Sequence, residues 1–196
     1  MLTITITTKE MKYSRLQTTM AYNEGENPEF FFFWGHQPEK DGSISKSCLS
    51  QWWVAPFVHE EIEYRTAEHF MMSEKARLFR DEEIRSQIID SETPKEAKGL
   101  GRKVRNFEAS IWNEHKFNIV KKANQLKFSQ HESLRSFLGS TQGKTLVEAS
   151  PFDRIWGIGM TKNNPKSLDP NQWRGQNLLG YALMEVRDEL FKEKHQ

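Results

Sequence analysis

Glu68, His69 and Lys75 stand in a strongly apolar segment, Tyr-Arg-Thr-Ala-Glu-His-Phe-Met-Met-Ser-Glu-Lys-Ala-Arg-Leu over residues 64–78. Ordinary core packing calls for neither charge. Thr66 is an N-cap residue type, so Glu68 falls in a first helical turn, where exposed N–H groups and the helix dipole favour a carboxylate. Lys75 follows two turns on with Met72 between, so the three side chains can share one face. Two readings stand at this point: a dipole-compensating surface acid beside a solvated lysine, or the edge of a site that does acid–base chemistry. Polar residues beside turns, glycines or aromatic clusters add Lys98, Arg102, Trp112, Lys127, Glu148, Asp153, Trp156, Trp173 and Asn177. Their scatter suits a site assembled from several helices and loops.

His69 reads as a hydrogen-bonded core group, and the other five histidines have no metal-ligand spacing. Gly157-Ile158-Gly159 lacks the rest of a dinucleotide fingerprint. Neither a metal nor a cofactor is expected.

The chain that must position these residues is 196 long, enough for one substantial core. A net charge of +1, with both signs interspersed, gives no whole-chain case for extended nucleic-acid contact or a membrane surface. The single cysteine, Cys48, excludes an intramolecular disulfide and reads as a buried thiol. Residues 2–8 alternate apolar and hydroxyl side chains instead of forming a signal-peptide core, and no apolar run is long enough to span a bilayer. A soluble, cytoplasmic protein is the expectation. Aromatic residues make up 12% of the chain, including six tryptophans, at a mean hydropathy of only -0.76. Several sit beside Gly, Asn, Gln or Asp, a context suited to walling a flat ligand.

The periodicities predict a mainly α protein of the α+β class: a compact, multi-helical single domain with a small β-sheet from the N-terminal third. A short strand is expected at residues 2–6, and periodicity is then lost to Asn27-Pro28, so residues 1–25 read as an extension packed on a domain of residues 26–196. Residues 30–34 read as a buried strand paired with strands from residues 50–57 and 62–65. Helices follow at 67–79, 81–90, from the capping box Thr93-Pro94-Lys95-Glu96 towards Val104, and at 107–128. A second capping box, Ser129-Gln130-His131-Glu132, predicts a short helix closed by Gly139. A strand at 145–149, a long irregular stretch at 150–175 and a helix from about 177 to 194 complete the chain. Loops of that length are functional or disordered, and its tryptophans favour order.

Four blocks occur in order: Tyr64 to Met72, Ala97 to Arg102, Glu148 to Gly159, and Trp173 to Gly180 with Leu183 to Arg187. Over residues 30–190 they resemble the motifs of the YbiA-like, or NADAR, family. The resemblance implies a compact, mainly helical, metal-independent N-glycosidase. Relatives cleave the bond between ribose and nitrogen in phosphorylated riboflavin-pathway intermediates, or remove ADP-ribose from guanine. Carried over by motif, it implies catalytic roles for Glu68 and Asp153, and site positions for Trp112, Trp156 and Asn177. Many relatives carry Ser-Asn-Phe-Tyr where this chain has Ser50-Gln51-Trp52-Trp53, so Trp53 is expected to reshape the base pocket.

Breaking a ribosyl C–N bond passes through a cation-like sugar, which asks for one carboxylate at the anomeric carbon and a proton for the departing base. Glu68 and Asp153 are the expected pair, with either division of roles; Asp153 reads equally well as a loop or helix cap. Trp112 and Trp156 can stack on a base or belong to the core. Lys75, Lys98, Arg102 and Lys127 form the expected anion group, with Glu148 beside the substrate; a solvated helix face is the other reading of each, evenly matched for the first three and the better one for Lys127. The expected partner is a phosphorylated ribosyl small molecule or an ADP-ribosylated guanine. Two other classes remain in view: a non-catalytic module binding ADP-ribose or nucleotide, and a helical interaction scaffold, which leaves the polar loop clusters without a purpose.

Overall fold

In the computed structural model, residues 11–192 are described. The strand expected at residues 2–6 lies outside them. Seven helices and four short strands follow in the order α1 (Arg15–Asn23), β1 (Phe30–Phe33), β2 (Phe57–His59), β3 (Ile62–Tyr64), α2 (Ala67–Leu78), α3 (Glu82–Asp90), α4 (Pro94–Gly101), α5 (Ala109–Gln130), α6 (Glu132–Gly139), β4 (Thr145–Glu148) and α7 (Leu178–Leu190). The class is α+β with helices dominant.

Three helices form the centre, with α5 packed between α2 and α7. Residues 67–73 of α2 are all buried, as are residues 178–187 of α7, so both helices are covered on every side. Thr66 starts α2 as its type requires, accepting the His69 N–H on its side chain. Thr93 and Glu96 form the expected capping box of α4, with Pro94 at its first position. Among the described residues, no helix is long and apolar enough to cross a membrane.

Strand pairing departs from the sequence expectation. The hairpin β2–β3 forms its own antiparallel sheet, while β1 pairs in parallel with β4, Phe30 opposite Thr145 and Phe33 opposite Glu148. A parallel pair needs a long crossover, and local alternation carries no information about such a partner. This pairing brings Glu148 to the chain that precedes Trp34, Gly35 and His36. The Ser129 capping box is also absent: α5 runs on to Gln130, Ser129 donates back to Leu126 O, and His131 is the junction with α6. Helix α1 escaped the sequence because it buries no residue and so shows no apolar stripe. The segment around it touches α7: Lys12 N–H donates to Glu185 and Tyr13 Oη to Asp188, both at 2.7 Å, and Thr18 meets Tyr181 at 3.0 Å.

The irregular stretch after β4 is tightly packed. Ile158 N–H donates to Glu148 O and Arg174 N–H to Ile158 O, each at 2.9 Å. A Cβ at Gly175 would lie 2.1 Å from Gly157 O, and one at Gly157 would lie 2.8 Å from Glu148 O. Only glycine lets these backbones meet. Trp173 is core, its indole N–H bonded to Ser167 O and its ring 5.5 Å from Phe30.

Candidate active site

A cavity of about 720 Å³ opens where the start of α2, the end of β4, helix α4 and the loop after β4 converge. Glu68, Lys75, Lys98, Arg102, Trp112, Glu148, Asp153 and Trp156 all line it. The site residues taken from separate parts of the chain therefore meet, with four exceptions: Trp53, Lys127, Trp173 and Asn177.

Glu68 enters from the first turn of α2 and is 2% exposed. Its Oε1 is buried with no hydrogen-bond partner, and so is Oε2 of Glu148, the last residue of β4. Burial is the leading cause that pushes the Glu68 carboxyl up to about 7, with Lys98, the Trp52 side chain and Arg102 opposing and Asp153 reinforcing. Burial likewise raises Glu148 to about 8, helped by Asp153 and Glu68 and opposed by Lys98. Two carboxyls of one cavity are thus poised close to neutrality, the usual condition of groups that exchange protons during turnover.

Asp153 is the loop cap of its alternative reading and also lines the cavity, so the catalytic half of the expected Glu68 and Asp153 pair is not decided by its placement. Its Oδ1 accepts the N–H groups of Ile155 and Trp156 at 2.8 and 2.7 Å, turning the loop, while the residue lines the cavity between the two glutamates' fields. Trp156 is held in place by that turn. Trp112 is partly buried against the core and also faces the cavity. At the mouth stand Trp34, half exposed, and Phe152, 88% exposed.

Three cations line the same cavity. Lys98 and Arg102 project from α4 and its C-cap, with Lys98 Nζ 5.7 Å from the Trp52 ring. Lys75 Nζ donates to Gly101 O at 2.8 Å and lies 4.3 Å from the Phe107 ring and 5.8 Å from Trp112. Burial lowers its affinity for the proton. None of the three joins any of the ion pairs among the described residues. Unpaired cations lining a cavity can receive an anion.

Three expectations are corrected. Trp53 does not line this cavity; it lies in a neighbouring apolar groove with Pro38, Val54 and Pro94, and Trp52 is the indole that reaches the carboxyls. Trp52 stands between the two, lining both the cavity and the groove, which the doubled tryptophan hides. Asn177 is fully buried and does not line the cavity. In left-handed backbone (φ 56°) ahead of α7, it accepts Glu148 N–H on Oδ1 and donates Nδ2–H to Leu146 O, both at 2.9 Å, so it positions β4. Lys127 is not solvated: it is 0% exposed and donates to Cys48 O at 2.6 Å and Ser50 O at 2.9 Å. The segment that carries Cys48 to Trp52 covers this polar face of α5. Burial depresses Lys127 to about 8 and raises the Cys48 thiol to about 11.

His69 is the core group expected, its Nδ1 2.8 Å from Thr66 Oγ1 and its Nε2 3.1 Å from Ser91 O. A carbonyl can only accept, so Nε2 carries the proton. His36 and Phe152 line the cavity without having been singled out from sequence, and Gln51 and Trp52, named there only within the Ser50 to Trp53 segment, line it too. Proximity to Ser50 and the tryptophan pair was the available signal for Gln51 and Trp52. Among the described residues, no cluster of three or more His, Cys, Asp or Glu side chains is arranged to hold a metal ion.

Residues 32–191 match the family model described as the NADAR domain. The chain belongs to the NADAR family. It is 42% identical over 169 residues to an N-glycosidase of Acanthamoeba polyphaga mimivirus, covering 84% of this chain and 98% of that protein. The N-glycosidase YbiA of Escherichia coli (strain K12) is 34% identical over 129 residues, 66% of this chain and 72% of that protein. The NMR structure of the E. coli protein YbiA is similar in fold, with a TM-score of 0.68 and 27% identity over 87% of this chain and 93% of that one.

Proposed function

We propose that this NADAR protein is an N-glycosidase that hydrolyses the ribosyl C–N bond of a phosphorylated ribosyl compound. The observation that carries the reading is the pair Glu68 and Glu148: two carboxyls, each with a buried oxygen lacking a partner, lining one cavity that unpaired cations also line. A binding module without turnover has no use for two acids held near neutrality, and the activity named for the relatives points the same way.

In the proposed reaction the bond from the anomeric carbon to nitrogen breaks and its electron pair leaves with the base. Glu148, protonated at neutral pH by its raised pKa, gives its proton to that nitrogen. Glu68, ionised in part of the molecules, stabilises the cationic sugar and takes a proton from water as the water oxygen bonds to the anomeric carbon. Asp153 contributes negative charge beside both and fixes Trp156. Lys75, Lys98 and Arg102 receive the phosphate, and the Trp52, Trp112 and Trp156 faces flank the base, each stack being worth about 1 to 3 kcal/mol.

The substrate is drawn from two candidates, a ribosylaminopyrimidine phosphate of riboflavin synthesis and an ADP-ribosylated guanine. Both offer a phosphate, a ribosyl C–N bond and a flat base. Incubating the protein with each, and following base and sugar by mass spectrometry, tests the reading. Release from one or both is expected; release from neither contradicts it.

A further inference from the structure

One group of the cavity has no part in the reaction as written. Gln51 is 6% exposed and lines the cavity between Ser50 and Trp52. Its amide is held by Asn124, a fully buried residue of α5, whose Nδ2 donates to Val120 O at 2.9 Å and to Gln51 Oε1 at 2.7 Å. The Val120 carbonyl only accepts, which fixes the nitrogen of Asn124 on that side and obliges Gln51 to answer with its oxygen. Gln51 Nε2 is therefore the end of the amide that Asn124 leaves free, and it is buried with no partner.

Main-chain contacts tie this donor to Glu68. Gln51 O accepts the Glu68 N–H at 3.0 Å, and Lys127 Nζ anchors the preceding carbonyl, Ser50 O, at 2.9 Å. Glu68 Oε1 is the complementary orphan. Two residues joined through their backbones thus bring to one cavity an N–H that needs an acceptor and a carboxyl oxygen that can accept. A hydroxyl group answers both, accepting on its oxygen and donating its hydrogen. Asn124 Oδ1 is also without a partner but lies away from the cavity; for orphaned atoms of residues that line a cavity, a ligand is an economical reason.

We propose that Gln51 and Glu68 together bind the ribosyl hydroxyl on the carbon next to the anomeric centre, and that Gln51 thereby selects ribosyl over 2-deoxyribosyl substrates. The assignment rests on the ribosyl reading above, since a carboxyl acting at the anomeric carbon has the neighbouring hydroxyl within reach. In glycoside hydrolysis generally, bonds to that hydroxyl strengthen in the transition state.

The test is calorimetric binding of ribose 5-phosphate and 2-deoxyribose 5-phosphate to the full chain and to Gln51→Met and Gln51→Glu. The Met variant removes the donor at any pH; the Glu variant keeps the acceptor towards Asn124 and removes the donor once its carboxyl is ionised, so it is measured at alkaline pH. The unaltered protein should bind the ribose sugar about ten-fold more tightly, the worth of one good hydrogen bond, and both variants should bring the ratio close to one. The deoxy sugar is an internal control for any general loss of binding. Equal binding by the unaltered protein, binding of neither sugar, or a ratio that survives both substitutions overturns the assignment; should neither variant fold, the ratio in the unaltered protein decides alone. Sugar binding is read without turnover. Absence of cleavage with the ratio intact would therefore overturn the N-glycosidase reading and leave the hydroxyl assignment standing, and cleavage with a ratio of one would do the reverse.

Discussion

At the scale of single residues, the account turns on which carboxyl carries a proton. Glu68 must be ionised and Glu148 protonated, so activity should rise as Glu68 titrates near pH 7 and fall as Glu148 titrates near pH 8. Glu148→Gln should cost roughly 10² to 10⁴ in kcat and abolish the alkaline limb, which a pH–rate profile of the variant reads directly. The cations answer to a different measurement. Removing the charge of Lys98 or Arg102 should raise KM for a phosphorylated substrate about ten-fold while leaving the dephosphorylated nucleoside nearly unaffected; equal losses on both would rule out a phosphate role. Sequence reading found Glu68 because a carboxylate in an otherwise apolar first turn breaks the local pattern. It ranked Glu148 only beside the substrate, because the burial that raises its pKa comes from β1, α7 and the following loop, all distant in sequence. Trp53 and Lys127 were misplaced for the same reason: neither the direction of a side chain in a turn nor the covering of a helix face is written in the neighbouring residues.

At the scale of elements, helix caps and apolar stripes made α2, α4 and α7 readable to within a few residues, whereas the parallel pairing of β1 with β4 was not. That pairing matters because Glu148 ends β4, and α7 packs against the same strand. Gly180 permits the approach: a Cβ there would lie 2.1 Å from Leu146 O and 2.6 Å from Asn177 Nδ2. Gly180→Ala should destabilise by about 1 to 3 kcal/mol, the range for overpacking, measured by urea unfolding. Turnover should fall further than the unfolded fraction explains, because β4 must shift and take Glu148 with it. A variant with unchanged stability and rate would refute the proposed coupling between α7 and the site.

At the scale of the whole molecule, the cavity is held open at a cost to stability. A carboxyl whose pKa is raised on folding binds its proton more tightly in the native state, so it favours the fold below pH 4.5 and that advantage is lost as pH rises through the folded value. For Glu68 the window runs from about 4.5 to about 7, and for Glu148 to about 8. Glu68→Gln removes this penalty. The variant should be more stable than the unaltered protein at pH 8, by on the order of 1 to 3 kcal/mol, with the difference shrinking towards pH 5 in thermal or urea unfolding. Composition and periodicity had already indicated a mainly helical chain with a small strand component, and the ordered motif blocks had indicated the family. The convergence of those blocks on one cavity had to come from coordinates, because it depends on crossings that no local window contains. The same substitution gives the most direct test of the central claim, when kcat and substrate affinity are measured side by side for the unaltered protein and Glu68→Gln. The account predicts a loss of turnover of about 10³ or more with substrate still bound within a few-fold of its original Kd; a Gln variant that hydrolyses the ribosyl bond at the original rate would contradict it.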